Sequence, residues 1–138
     1  MPVKTWKLID QAAGERSEPE LFIGKDDLGV ANVGVNKRTL SGGLAEGVVS
    51  IEINNGKLQI DVLPTRGMGI WRVLPADDRE LKIVGWKSPN RGPVHPSFVD
   101  LGEPSGLGWL DGFDEFVVRC GLESNGAPDF DPKTGRLT

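Results

Sequence analysis

The sequence predicts an all-β domain: an antiparallel β-sandwich of short strands with one short helix near residues 109–116. Three observations carry this. Val49, Ile51 and Ile53 alternate with Ser50 and Glu52, and Leu58, Ile60 and Val62 alternate with Gln59 and Asp61, the period-2 mark of half-buried strands. Asn55-Gly56 stands between the two runs, the strongest short-range hairpin signal. The 138 residues include 19 glycines and 10 prolines; glycine is at about twice its usual share, which favours short strands and tight turns over long helices.

Taken in order, residues 1–29 are poorly patterned. Trp6, Leu8 and Ile9 suit a short edge strand, and Ser17-Glu18-Pro19-Glu20 reads as a helix start with Ser17 as N-cap. Gly24 soon interrupts that signal, and Asp26-Asp27 reads as a solvated turn. Residues 30–40 hold at most one short strand before the break at Ser41-Gly42-Gly43. After the hairpin, Pro64 lacks a ladder donor and closes the second strand. Gly67 and Gly69 then turn the chain into a third strand over 68–74. Pro75 to Asp78 makes a turn and 80–84 a fourth strand. No helical pattern separates these strands, so they should form a meander rather than a parallel sheet. Residues 85–108 are rich in Pro and Gly, with Trp86, Val94, Phe98 and Leu101 as anchors. Trp109, Leu110, Phe113 and Phe116 mark the apolar side of the short helix, and 116–120 reads as a short buried strand.

Composition removes several function classes. The net charge of −4 gives no basic footprint for nucleic acid. No apolar run approaches the ~20 residues of a membrane span, and the N-terminus lacks a signal-peptide pattern. The single cysteine, Cys120, can form no intramolecular disulfide, so a reducing cytoplasm is expected. One His and one Cys argue against a zinc site. Residues 106–112 spell G-x-G-x-x-x-G, but no apolar strand feeds them and no long helix follows, so they do not read as a dinucleotide site. Neither a cofactor nor a metal is expected.

Four groups could carry chemistry. Arg66 sits in the break between strands, either as a solvated turn residue or with its planar fork facing a pocket. His95, the sole imidazole, precedes Pro96 and is held in extended geometry. It suits proton transfer or a hydrogen bond to a sugar, or else a backbone carbonyl. Asp111, Asp114 and Glu115 could mimic a glycosidase pair, though a short helix would more often solvate them. Trp71, Trp86 and Trp109 could stack on a sugar or fill the core. Cys120, between apolar neighbours and Arg119, reads as packing.

Several segments together resemble the aldose 1-epimerase (galactose mutarotase-like) superfamily, in its poorly characterised bacterial branch. These are L-S-G-G-L-A-E-G-V-V-S-I-E-I (40–53), V-L-P-T-R-G-M-G-I (62–70), G-W-K-S-P (85–89) and G-L-G-W-L-D-G-F-D-E-F-V-V-R-C-G-L-E-S-N-G-A-P (106–128). The resemblance implies a β-supersandwich that binds a small-molecule sugar in a concave cleft, with Arg66, Trp86 and His95 as substrate-binding residues. It also implies a histidine acid and a glutamate base, working from two sides of the sugar. In the family pattern a Leu-His-Gly histidine and the acidic base follow the point reached here. The expectation is therefore that residues 1–138 are the N-terminal half of one domain, with no catalytic residue of their own and the acid/base pair beyond Thr138. Such a half would pair with the C-terminal half or with another chain to cover its edges. The alternative function is a non-catalytic carbohydrate-binding β module.

Overall fold

In the computed structural model, which describes residues 3–10, 12–13, 18–76, 92–100, 102–105, 107–118 and 132–135, the two alternating runs form the centre of a five-stranded antiparallel sheet. Its strands are β1 (Leu21–Ile23), β2 (Gly34–Thr39), β3 (Val49–Asn54), β4 (Leu58–Leu63) and β5 (Gly69–Pro75). Their spatial order is their sequence order, a plain meander. They form one layer of the expected sandwich, and all described strand pairings are antiparallel. The expected strand at 80–84 and the helix start at Ser17 lie outside the described residues.

The central hairpin pairs Ile51 with Val62 and Ile53 with Ile60. Its turn is centred one residue later than Asn55-Gly56. Asn55 N donates to Leu58 O at 3.1 Å, so Gly56 and Lys57 are the two central residues. Gly56, at φ 88, supplies the positive angle that a II′-type turn needs at its first position. Asn55 acts as a brace instead: its Oδ1 accepts from Lys57 N and Leu58 N.

Residues opposite one another across strands share a face. One row reads Ile23, Val35, Ile53, Ile60, Val73, and the next reads Leu21, Lys37, Ile51, Val62, Ile70. The lysine in that apolar row is only 2% exposed. Its ammonium donates to Leu8 O at 2.9 Å and Glu18 O at 2.7 Å, so both of these residues lie against this face. Burial pushes the Lys37 pKa down, with the nearby charge of Glu18 opposing. Residues 3–10 thus form no strand; Leu8 contributes a carbonyl to a buried amine instead. The opposite face carries Phe22, Asn36, Glu52, Asp61 and Arg72 in register.

Two short elements differ from expectation. Lys25–Leu28 forms a one-turn helix, α1, where Asp26-Asp27 read as a solvated turn. Gly24 N donates to Asp27 Oδ2 at 3.2 Å and Gly29 closes the turn at φ 69. The helix expected near 109–116 is a 3-10 helix at Gly108–Gly112, with glycine at both ends, a poor residue for continuing an α-helix. Phe113, Phe116, Val117 and Val118 are exposed, so the described part of 116–120 is not a buried strand. It is an edge segment: Val117 forms an isolated bridge to Ile70, and Phe116 N donates to Trp71 O. Trp71 is the extra residue of a bulge, since Asp61 pairs with Arg72 and Val62 with Ile70. Among the described residues no helix is long and apolar enough to cross a membrane.

Candidate functional site

The break between β4 and β5 is built by its prolines and glycines. Pro64–Arg66 is a single 3-10 turn, with proline in the first turn where its missing N–H costs nothing. Gly67 follows in the left-handed region at φ 65, and Met68, at φ 63, shares that region. Met68 N donates to Leu63 O at 3.1 Å, and Val49 N donates to Thr65 Oγ1 at 2.9 Å. The corner is thereby tied to β3 and β4 before Arg66 leaves it.

Arg66 reaches the segment that follows the 3-10 helix. Its Nη1 lies 2.6 Å from Asp114 Oδ1 and its Nε 2.5 Å from Glu115 Oε1, while Nη2 donates to Gly112 O. All three side chains are largely withdrawn from water, at 11%, 11% and 2% exposure for Arg66, Asp114 and Glu115. A Cβ on Gly69 would collide with the Glu115 carboxylate, which packs directly on the backbone at the start of β5. Asp114 Oδ2 and Glu115 Oε2 are buried without a hydrogen-bond partner. Burial pushes the Glu115 pKa above its ordinary 4.5; Arg66 opposes this and the Asp114 charge adds to it.

Beside this cluster lies a depression of about 310 Å³, lined by Arg66, Val94, Pro96, Val99, Phe113 and Glu115 among others. The sequence reading thus placed Arg66 in a break, and the structure sets it on the wall of a concavity. Its fork is already occupied by two carboxylates that the spacing suggested were solvated. Asp114 and Glu115, candidates for a glycosidase-like pair in the sequence, are instead the partners of Arg66, a pairing the sequence did not reveal. They lie 48 and 49 positions from Arg66, and no local pattern links the two segments.

His95 stands apart from that lining, although Val94 and Pro96 on either side belong to it. It caps the 3-10 turn Pro96–Phe98: Nδ1 accepts from Ser97 N at 3.2 Å and lies 2.7 Å from Ser97 Oγ. An accepting Nδ1 puts the neutral ring's proton on Nε2. That side of the ring packs beside Gly47, where an added Cβ would lie 3.8 Å from Nε2. The backbone N of His95 donates to Leu44 O at 2.7 Å. Trp86 and Cys120 lie outside the described residues, as do the side chains of Asp111 and Trp109. Trp71 is half-buried, with the Arg72 guanidinium 5.0 Å from its ring centre. Among the described residues no group of three or more His, Cys, Asp or Glu is placed to hold a metal ion.

Residues 45–137 match a family described as a domain of unknown function, DUF4432. The chain belongs to this family. The DUF4432 chain is also similar to the crystal structure of a candidate aldose 1-epimerase from Klebsiella pneumoniae subsp. pneumoniae MGH 78578. The TM-score is 0.77 at 34% identity, covering 97% of this chain and 34% of that one. The aldose-epimerase-like β fold implied by the sequence segments is therefore the fold observed. The DUF4432 chain spans about a third of that relative's length. Among curated proteins none matches it.

Proposed function

We propose that this chain is the carbohydrate-binding portion of an aldose 1-epimerase-like protein, with Arg66, His95 and Trp86 as sugar-contacting residues. The observation that supports this most is the corner itself. Arg66 and Glu115 come from distant segments and meet on the wall of a concavity whose other walls are mostly apolar. A few fixed polar groups among apolar ones are what an oriented polyol needs. Glu115 Oε2 is a buried acceptor without a partner, set against the backbone of Gly69. Two carboxylates around one guanidinium leave no excess positive charge for a phosphate or sulfonate. Proton exchange at an anomeric centre needs an acid and a base on two sides of the sugar. Our reading assigns that pair to residues outside this chain, which then binds without catalysing.

The test is a titration of the chain with D-galactose and D-glucose, followed by amide NMR, alongside exchange NMR of the sugar anomers. The expected result is perturbation at Arg66, at 94–99 and at 112–115, with no acceleration of anomer exchange. Efficient mutarotation by these 138 residues would overturn the incomplete acid/base pair. No perturbation of that corner by either sugar would overturn the sugar site.

A further inference from the structure

The opposite end of the sheet holds a second depression, of about 450 Å³, which the reading above does not use. Its floor is the row Phe22, Asn36 and Glu52, one residue from each of β1, β2 and β3 in direct register. Lys25 and Asp26 of α1 and Asn54 at the end of β3 complete its polar wall.

Phe22 is the unusual member. A phenyl ring on an edge strand would ordinarily be turned inward, yet this one is 70% exposed. It lies across two glycines: a Cβ on Gly24 would sit 2.7 Å from its Cζ, and one on Gly34 would sit 3.7 Å from its Cε2. A side chain at position 24 would push the ring aside, whereas one at 34 would only touch it. With glycine at both, the ring rests on backbone and presents its remaining surface to the depression.

The polar groups around it are open. Among the described residues, the side chains of Asn36, Lys25 and Asp26 make no hydrogen bond or ion pair with one another or with neighbours. Glu52 uses only Oε2, which accepts from Gln59 Nε2 at 2.9 Å. Asn54 uses Oδ1 on Gly56 N at 2.7 Å, leaving its amide hydrogens. One ammonium against two carboxylates disfavours an anion, and among the described residues no group of three or more His, Cys, Asp or Glu is placed to hold a metal ion. What remains is a neutral ligand with an apolar face for the ring and several hydroxyls for the amides and carboxylates. Strands about 4.8 Å apart place Phe22 and Glu52 about 10 Å apart, wide enough for one pyranose with its substituents.

We propose that this depression is a second saccharide site, separate from the Arg66 corner. Phe22 is its stacking platform, and Asn36 and Glu52 are its hydroxyl partners. A sugar's C–H face on the ring gains dispersion and desolvation, and the amide of Asn36 gives and takes a hydrogen bond.

The experiment is an amide NMR titration of the full chain with methyl α-D-glucopyranoside, repeated with tetramethylammonium. The glycoside should perturb 22–26, 34–36 and 52–54, with affinity in the millimolar range, about 1–10 mM. Phe22→Leu keeps an apolar side chain but removes the flat face, and should weaken binding about fivefold or more, while Phe22→Trp should retain it. Asn36→Ala should weaken it independently. The proposal is overturned if the glycoside perturbs none of these residues, or if Phe22→Leu binds as well as the native chain. It is also overturned if tetramethylammonium perturbs them and the glycoside does not. Perturbation confined to the Arg66 corner would end this proposal and leave the preceding one standing.

Discussion

The two ends of the sheet treat charge in opposite ways. At the β4–β5 corner, Arg66, Asp114 and Glu115 are withdrawn from water and spend their bonds on each other. At the β1–β3 end, Lys25, Asp26 and Asn36 stay open around an exposed ring. A buried ion cluster fixes geometry, because removing one member strands the others in a poor solvent for charge. An open set of polar groups contributes little to folding and keeps its bonding capacity for something else. The first arrangement holds one wall of a concavity in fixed geometry, and the second leaves its groups free to adapt.

The sharpest way to break that contrast is Arg66→Met. It leaves two carboxylates buried without their cation, so a stability loss of about 3–5 kcal/mol is expected from urea unfolding near neutral pH. The loss should shrink as acid neutralises the stranded carboxylates. A change below about 1 kcal/mol would place the corner among ordinary surface ion pairs.

A smaller effect should come from pH alone. The folded-state pKa of Glu115 is raised above 4.5, chiefly by burial. Above that ordinary value the folded chain holds a proton that the unfolded chain has already released. Stability should therefore fall as pH rises from about 4.5 through the raised value, with no such loss below it. Urea midpoints across this window should show a flatter profile in Glu115→Gln. An unchanged slope would remove Glu115 as its source.

The smallest effect belongs to the other end. Phe22→Ser should alter stability by no more than about 0.5 kcal/mol, because the ring is already mostly in solvent. Thermal unfolding would check this. A loss beyond about 1 kcal/mol would make Phe22 a structural residue and dissolve the comparison.

What could be seen in the sequence was local. Alternation over 49–54 and 58–63 is a two-residue rhythm, and it announced the central hairpin without outside help. Pro64 and Gly67 announced the corner for the same reason, since each constrains its own backbone. The one-turn helix at Lys25–Leu28 was illegible: four residues are too few to establish a period, and its cap is a single Asp27–Gly24 contact. At 109–116 the aromatic spacing suggested more helix than glycine at 108 and 112 allows. The partners of Arg66 were hidden by distance along the chain. An arginine in a turn and two acids beside phenylalanines look solvated until the fold brings them together. The row formed by Phe22, Asn36 and Glu52 was hidden likewise, because register across three strands is a property of the sheet and of no single segment.

Lys37 gives residues 3–10 and 18–20 a standing that their plain sequence conceals. An amine inside a hydrocarbon wall, moored to carbonyls of Leu8 and Glu18, makes them a cover and not a tail. A chain shortened to begin at residue 10 would lose one mooring. The ammonium would then have to admit water into the wall or give up its proton.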